Sequence, residues 1–461
     1  MGRRVVAVIG GGISGLACAH ALHRTADPAI EVIVLEGSAR VGGILHTSSI
    51  GGLQVDAGAD AFLARVPEGE RLAREVGLGE LLVSPSTGQA YVWIGDRLRP
   101  IPEGTLLGVP GSWRSLASSR VLSPAGLLRA AADLVLPASA PVGDISVGEL
   151  VRRRLGRQVV DRLVDPLLGG VYAGRADELS LESTVPQLAA AAHGQRSVMR
   201  VVRSRTAAAP VDTSPVFSSL DGGLGQLPQA IARSLGDAVR LSSRAALVER
   251  VGNAWRITLV GGRALVVDAV VAATPAPVAS SLLRFAAPEV STELAGVRTA
   301  SVVVVTMALP RGALAGAPGG SGFLVPATEG RLMKACTFSS AKWAHLDRGD
   351  VTIVRCSVGR AGEPAPDDDD EIVARLLTEL ALAVGLTARP LEVRVSRWAD
   401  ALPQYAVGHR ERIARVDAAL AALPGLALAG SAYDGVGVPA CIRSGEKAAA
   451  TVLAHLRARP G

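Results

Sequence analysis

The sequence predicts an α/β fold of two lobes: a doubly wound βαβ layer, a second lobe on an antiparallel sheet, and a helical insertion. Three observations predict it. An apolar strand at residues 4–9 runs into Gly10-x-Gly12-x-x-Gly15 and a helix, and a second apolar strand closes on Glu36. Residues 113–168 carry apolar positions at helical spacing. The middle of the chain then turns to β-rich segments separated by glycine turns.

Taken in order, "RVVAVI" at residues 4–9 reads as a buried strand, and residues 14–23 as a helix whose small side chains let it pack closely. "AIEVIVLEG" at residues 29–37 is the next buried strand, and strand, helix and strand together demand parallel pairing. "PAGLLRAAADLVLP" and "VGELVRRRLGRQVVDRLVDPLL" give the helical insertion. "ALVERVGNAWRITLVGGRALVVDAVVAATPA" reads as three strands, with turns at Gly252-Asn253 and Gly261-Gly262; "TASVVVVTMAL" and "VTIVRCSVG" continue a sheet. The acidic run from Asp367 to Asp370 suits a helix N-terminus and reads as a solvated cap rather than a metal site. Near the C-terminus, "LALAGSAYDGVGVPACIRSGEKAAATVL" passes from a short strand through Gly430, Gly435 and Gly437 into a helix at Pro439. That helix aims free N–H groups and the positive end of its dipole at something.

Bulk composition narrows the function. With 461 residues, 49% of them hydrophobic and 20% charged, the chain can build two or three domains with large cores. The net charge of +6 is spread along the sequence, and aromatics are only 3%, so no stacking platform for nucleic acid is expected. Cys18, Cys336, Cys356 and Cys441 are scattered without a C-x-x-C, which reads as free thiols in a reducing compartment. The basic tip and apolar run at the start imitate a signal peptide, but the glycine triplet and the strand–turn–helix pattern argue against one. No segment is long and apolar enough to be expected to span a membrane, so the chain reads as cytoplasmic.

The chemistry lies in the glycine turns. Gly10, Gly12 and Gly15 follow a strand and open a helix, and Glu36 ends the next strand about twenty residues on. That is the full dinucleotide context: glycines for the tight turn, a helix N-terminus for the diphosphate and a carboxylate for the ribose hydroxyls. Beyond Glu36 come Arg40-x-Gly42-Gly43 and "GGLQVDAGADAFL". A second Gly-Gly at that place resembles the FAD-binding flavoenzymes, and no second G-x-G-x-x-G follows for a nicotinamide cofactor. The cofactor therefore reads as FAD.

Several segments together resemble the porphyrinogen oxidases of haem biosynthesis, a likeness covering nearly the whole chain. They are "VIGGGISGLACAHAL", "VDAGADAFL", "GQAYVWIGDRLRPIPEGTLLGVP", "VDPLLGGVYAGRADELSLESTVPQL", "WADALPQYAVGHRERI" and "LAGSAYDGVGVPACIRSG". "PQYAVGH" and "LLGGVYAG" are the specific ones. The resemblance implies an amine-oxidase-like architecture, with FAD contacts at Gly10, Gly11, Gly12, Ile13, Ser14 and Gly15, and at Glu36, Gly37, Gly43 and Ile44. It adds Gly58, Ala59, Asp60, Ala61 and Ser431, then Val436, Gly437 and Val438 along the flavin edge, with the backbone of residues 245–248 at the adenine. It divides the chain into a FAD-binding lobe (1–80, 216–285 and 401–461), a substrate lobe (81–112 and 286–400), the helical insertion (113–168) and a connecting and cavity segment (169–215).

The mitochondrial protoporphyrinogen oxidases that this chain resembles carry an arginine where it has Ala90. The "GQAYVW" form is similar to the Gram-positive bacterial branch, which oxidises coproporphyrinogen III to coproporphyrin III; protoporphyrinogen IX is the alternative substrate. Arg65 is the first candidate for holding a substrate propionate, with Lys334 and Arg355 behind it, although such residues are more often surface charges. Tyr172 reads as lining the substrate cavity or packing in the core, and His409 as structural or cavity-lining. The resemblance implies hydride transfer from a methylene bridge to the flavin, no protein base, molecular oxygen as acceptor and hydrogen peroxide as product, with a ferrochelatase as a partner to take the porphyrin. No metal site is expected; His20 and His23 belong to the nucleotide fold. An amine oxidase, a carotenoid desaturase and a non-catalytic tetrapyrrole carrier are the competing readings. The first would need an aromatic cage and often a cysteine bonded to the flavin; aromatics are scarce, and Cys441, which follows the last glycine turn after Pro439 and Ala440, reads as a buried free thiol.

Overall fold

The computed structural model describes residues 3–137, 143–192, 197–208 and 215–458; parts of the expected helical insertion (138–142) and connecting segment (193–196 and 209–214) lie outside the described residues. A five-stranded parallel sheet runs in the order Val239–Arg240, Ile30–Leu35, Arg4–Ile9, Ala269–Ala272, Leu426–Leu428. Its central strands are buried on both faces, which is why they read as continuous apolar runs rather than alternating ones. Val6, Val8, Val34 and Val271 face the helices Ile13–His23, Gln226–Leu235 and Val438–Ala458. Ala7, Ile9, Ile33 and Val270 face the other way, onto a three-stranded antiparallel sheet and the helices Ala276–Leu283 and Pro288–Ala295.

One expectation is corrected here. The third of the three strands expected from residue 245 onward is two strands in different sheets. Ala264–Val267 pairs antiparallel with Ala254–Leu259, whereas Ala269–Ala272 joins the parallel sheet beside Arg4–Ile9. The break falls at Asp268, whose backbone N–H donates to Val5 O at 2.9 Å while its Oδ2 accepts from Val5 N–H at 2.9 Å. An apolar run without glycine or proline at the break offers no periodic signal of such a change.

The second lobe is a seven-stranded sheet in the order Glu392–Pro403, Thr299–Pro310, Val351–Val358, Met333–Phe338, Gly322–Leu324, Tyr91–Ile94, Arg97–Pro100. All its pairings are antiparallel except that of Gly322–Leu324 with Tyr91–Ile94. The helix Asp369–Val384 covers one face through Ile372, Leu376 and Leu380. Asp368 caps that helix by accepting from the Asp370 N–H at 2.8 Å, as the acidic run suggested. The described residues of the expected insertion are mostly helical, from Trp113–Ser119 through Pro124–Ala131 and Val147–Leu155 to Asp165–Tyr172, with a π-helical stretch at Val160–Val164. Among the described residues no helix is long and apolar enough to cross a membrane. All four cysteines are buried and unpaired.

The helical part has a charged pin. Asp133, fully buried, accepts from Arg154 Nε at 2.7 Å, Ser197 Oγ at 2.6 Å and Met199 N–H at 3.0 Å. Removing one partner of such a pair leaves an uncompensated buried charge. Asp133→Ala is expected to lower unfolding free energy by about 3–5 kcal/mol, read from urea unfolding followed by far-UV circular dichroism.

Candidate functional site

At the carboxyl end of the parallel sheet the first glycine turn is built by close approach. A Cβ on Gly10 would lie 2.5 Å from Ala273 O, and one on Gly15 would lie 2.0 Å from Gly10 O. Gly10 also has φ +111°, open to glycine alone among ordinary residues. Gly12 differs, because a Cβ there meets nothing within 4 Å and its backbone is extended. Gly12 therefore faces open space, in front of a helix whose N–H groups on Ser14 and Gly15 have no partner among the described residues. Gly42 N–H donates to Gly11 O at 2.8 Å, which folds the second glycine pair onto the first. Gly43 completes the rim, its nearest neighbour for an added Cβ being Gly12 Cα at 3.8 Å.

Glu36 is held ready. Gly11 N–H donates to its Oε2 at 2.7 Å, while Ser38 N–H and Oγ–H both donate to Oε1 at 2.7 Å. Gly37 packs against the Arg244 side chain, and Ser243 N–H donates to Glu36 O at 2.7 Å, so the strand Ala245–Val251 begins beside this carboxylate. Free helix amides, an open glycine face and an oriented carboxylate fit the diphosphate and ribose of FAD.

The next expected contacts sit on residues 57–61. Gly58 must be glycine, since a Cβ would lie 2.0 Å from Ile44 O. Ala59 and Ala61 are partly buried against separate apolar clusters. Side chains of the second lobe grip this segment: Trp398 Nε1–H donates to Ala57 O at 3.0 Å and Arg355 Nη2–H donates to Gly58 O. The Asp60 carboxylate accepts from Lys342 at 3.1 Å and Trp343 Nε1–H at 3.3 Å, and pairs with Arg355 at 3.2 Å. Burial alone would raise the Asp60 pKa; Lys342 and Arg355 outweigh it and hold the carboxyl well below the usual range. The carboxylate of Asp60 is thus engaged in a clamp between lobes, and what this stretch offers a cofactor is backbone.

The last turn lies beside the first. Leu426–Leu428 pairs with Ala269–Ala272, and the helix Val438–Ala458 crosses the first helix so closely that a Cβ on Gly445 would sit 2.1 Å from Ser14 O. Between strand and helix, Ser431 O accepts from Tyr405 Oη–H at 2.5 Å, and Gly435 N–H donates to Tyr405 Oη at 2.9 Å. The N–H groups of Val436 and Gly437 have no partner among the described residues. Val438, buried, starts the helix. Val436 packs in the same apolar cluster as Tyr172 and Tyr405, whose rings lie 5.7 Å apart. Cys441 Sγ faces the carbonyls of Gly435 and Val436 at 3.9 and 4.0 Å, and burial pushes its thiol up to about 11. His409 is buried, its Nε2 3.0 Å from Ala432 O, and burial pushes its pKa down to about 4.

The three cationic candidates separate. Arg65 is exposed and lines a surface cleft of about 420 Å³ with Glu70, Arg74 and Ser218, which includes none of the glycine turns. Arg355 is buried, and its two η nitrogens are engaged by Asp60 and Gly58. Lys334 is only 3% exposed, at a bulge in Met333–Phe338, and no carboxylate pairs with it among the described residues. Burial, then the nearby Arg360, pushes its pKa down to about 7. The expectation of surface charges thus fails for Lys334 and Arg355. Sequence reasoning missed Lys342, Trp343 and Trp398, which lie about three hundred residues from what they hold and carry no local signal. Tyr405 stood in a quoted motif, and its spacing to His409 was the available hint.

The sequence profile described as flavin containing amine oxidoreductase matches residues 13–453. The chain is similar to the coproporphyrinogen III oxidase of Mycobacterium tuberculosis (strain ATCC 25618 / H37Rv), 38% identical over 460 residues and 99% of each chain. It is likewise similar to the coproporphyrinogen III oxidase of Bacillus subtilis (strain 168), 34% identical over 467 residues and 99% of each chain. A crystal structure from Exiguobacterium sp. 255-15, described as a protoporphyrinogen oxidase, matches with a TM-score of 0.88 at 33% identity, covering 99% of this chain and 100% of that one. The chain belongs to the flavin-containing amine oxidoreductase family.

Proposed function

We propose that the chain oxidises coproporphyrinogen III to coproporphyrin III with FAD, in haem biosynthesis. The observation that carries the site is the meeting of two remote glycine turns, one with free helix amides and one with free turn amides, at the end of one parallel sheet beside Tyr172. The substrate is the one named for the curated relatives. Molecular oxygen is the terminal acceptor and hydrogen peroxide the co-product, in the cytoplasm, with a ferrochelatase receiving the porphyrin.

Bound FAD supplies the two-electron acceptor. The amides of Ser14 and Gly15 would hold its diphosphate, and Glu36, aligned by Gly11 and Ser38, would hold the ribose hydroxyls. The backbone of residues 57–61, kept in place by Arg355, Lys342 and Trp398, would help hold the cofactor. The unpartnered amides of Val436 and Gly437 would offer positive partial charge to the cofactor and so favour its reduced form. Tyr172 and Val436 wall the substrate side with apolar surface. His409, neutral at physiological pH and engaged by Ala432, is no base for the reaction. Lys334, buried with no carboxylate partner among the described residues, anchors a substrate propionate together with Arg360, whose own neighbours are Glu363, Asp165, Glu379 and Arg175.

The decisive test is anaerobic mixing of the FAD-loaded protein with coproporphyrinogen III and, separately, protoporphyrinogen IX. The oxidised flavin band is expected to bleach faster with the first. Bleaching by neither refutes the enzyme, and faster bleaching by the second transfers the assignment to protoporphyrinogen IX. Flavin should leave entirely on acid denaturation; colour retained on the protein would favour an amine oxidase linked through Cys441.

Gly12→Val is expected to fold normally, because its Cβ enters open space, yet to weaken FAD binding at least about 100-fold. Fluorescence titration with FAD measures the second effect and thermal unfolding of the apoprotein the first.

Lys334→Met should raise KM for coproporphyrinogen III about tenfold, as a charge-assisted contact is lost. The same variant tests the burial. Lys334 binds its proton less readily folded than unfolded, so wild-type stability rises as pH climbs from about 7 toward the ordinary lysine range. Lys334→Met is therefore expected to unfold at higher temperature than wild type at pH 6, with the difference shrinking by pH 9.

A further inference from the structure

The residues between the strand Glu392–Pro403 and the helix His409–Ala421 carry no expected cofactor contact of their own, yet they are tightly built in against the turn that does. Gln404, Tyr405 and His409 are all at most 5% exposed. Tyr405 and His409 stack with ring centroids 4.2 Å apart and planes 14° from parallel. The Tyr405 hydroxyl donates to Ser431 O at 2.5 Å and accepts from Gly435 N–H at 2.9 Å, so one oxygen spans the turn from its start to the residue before Val436. His409 Nε2 lies 3.0 Å from Ala432 O, a contact that requires the proton on Nε2. Gln404 Nε2–H donates to Tyr172 O at 2.7 Å, and Ser180 N–H donates to Tyr405 O at 2.7 Å. A Cβ on Gly174 would lie 2.3 Å from Gln404 Oε1, so the helical part of the molecule backs this segment directly.

We propose that Tyr405, braced by His409 and Gln404, is a positioning residue that holds the turn of residues 431–437 in the one conformation whose Val436 and Gly437 amides face the flavin. This rests on the reading above that FAD lies at this turn. The physical argument is one of satisfied and unsatisfied donors. The Gly435 N–H is engaged by Tyr405, and the next two are free. Gly430 and Gly435, with φ of +143° and +129°, give the turn little stiffness of its own. A turn so rich in glycine needs an outside brace to keep two amides aligned, and alignment before reaction is what makes such dipoles effective. Tyr405 acts through the turn; its hydroxyl is satisfied twice and is not offered to a substrate.

Tyr405→Phe keeps the ring stack and removes only the bridging oxygen. In the FAD-loaded protein it is expected to weaken binding of reduced relative to oxidised FAD about tenfold. That moves the two-electron midpoint potential negative by about 30 mV. The variant should also lower kcat about tenfold with KM within twofold of wild type. His409→Gln, which can still donate to Ala432 O, should stay close to wild type, whereas His409→Leu should follow Tyr405→Phe in direction. A Tyr405→Phe protein that loses stability but keeps the wild-type potential and flavin spectrum would overturn the proposal, since a merely structural tyrosine behaves so. Hydrogen exchange on the wild type covers the case in which Tyr405→Phe fails to fold. The Gly435 amide should be protected with and without FAD, and the Val436 and Gly437 amides should gain protection only on adding FAD. A Gly435 amide that exchanges as freely as a solvent-exposed one, in a protein whose Val436 and Gly437 amides gain protection with FAD, refutes the brace while leaving the flavin reading intact; FAD binding with exchange unchanged at Val436 and Gly437, or failure to bind FAD, refutes that reading itself.

Discussion

The strand Ala269–Ala272 is the constraint on which the rest depends. It lies between Arg4–Ile9 and Leu426–Leu428, and so joins in one register three segments far apart along the chain. Every side chain in it is buried, Ala269 and Val271 in one apolar layer and Val270 in the other. A slip by one residue would exchange those layers and shift the last turn by about 3.3 Å against the first. The pairing that stabilises the sheet is therefore also what sets the distance between the two ends of the cofactor site.

Contact between helices makes that distance stiff. The first and last helices meet backbone to backbone at Ser14 and Gly445, with no side chain between them to yield. Cys441 and Val438 pack in the same apolar cluster as Ile13, Leu16 and Ala17. Amides at the start of both helices then point into one region from elements that cannot move separately, which is the arrangement in which oriented dipoles act most strongly.

The second lobe is locked to this platform by charge as well as by packing. Arg394 donates to Ser48 O at 2.9 Å and Val55 O at 3.0 Å, Trp398 to Ala57 O, and Lys342 and Arg355 to Asp60. Lys342 also lies 4.8 Å above the Trp343 ring. Such partly buried ion clusters add little net stability once desolvation is counted, but they specify one orientation. Here the orientation is that of residues 57–60 between the nucleotide turns and the seven-stranded sheet.

Local patterns in the sequence were enough to identify the glycine turn at Gly10, Gly12 and Gly15, the carboxylate of Glu36, the capped helix after Asp368 and the final strand–turn–helix. Each is governed by residues within a few positions of one another: glycine where backbone approaches backbone, acid at a helix start, apolar runs in buried strands. The split at Asp268 was not legible, because its cause is a pair of hydrogen bonds to Val5 on a distant strand. Nor was the fate of the charges. Asp60, Arg355 and Lys334 are ordinary surface residue types, and only the folded chain decides that the first two neutralise one another while the third is enclosed with no carboxylate partner among the described residues. Likewise "PQYAVGH" was recognisable as a motif, yet its hydroxyl acquires a task only when Ser431 and Gly435 arrive on either side of it. Short-range sterics and propensity are written in consecutive residues; the partner of a buried polar group is chosen by tertiary approach, because desolvation penalises any polar group left without a partner nearby.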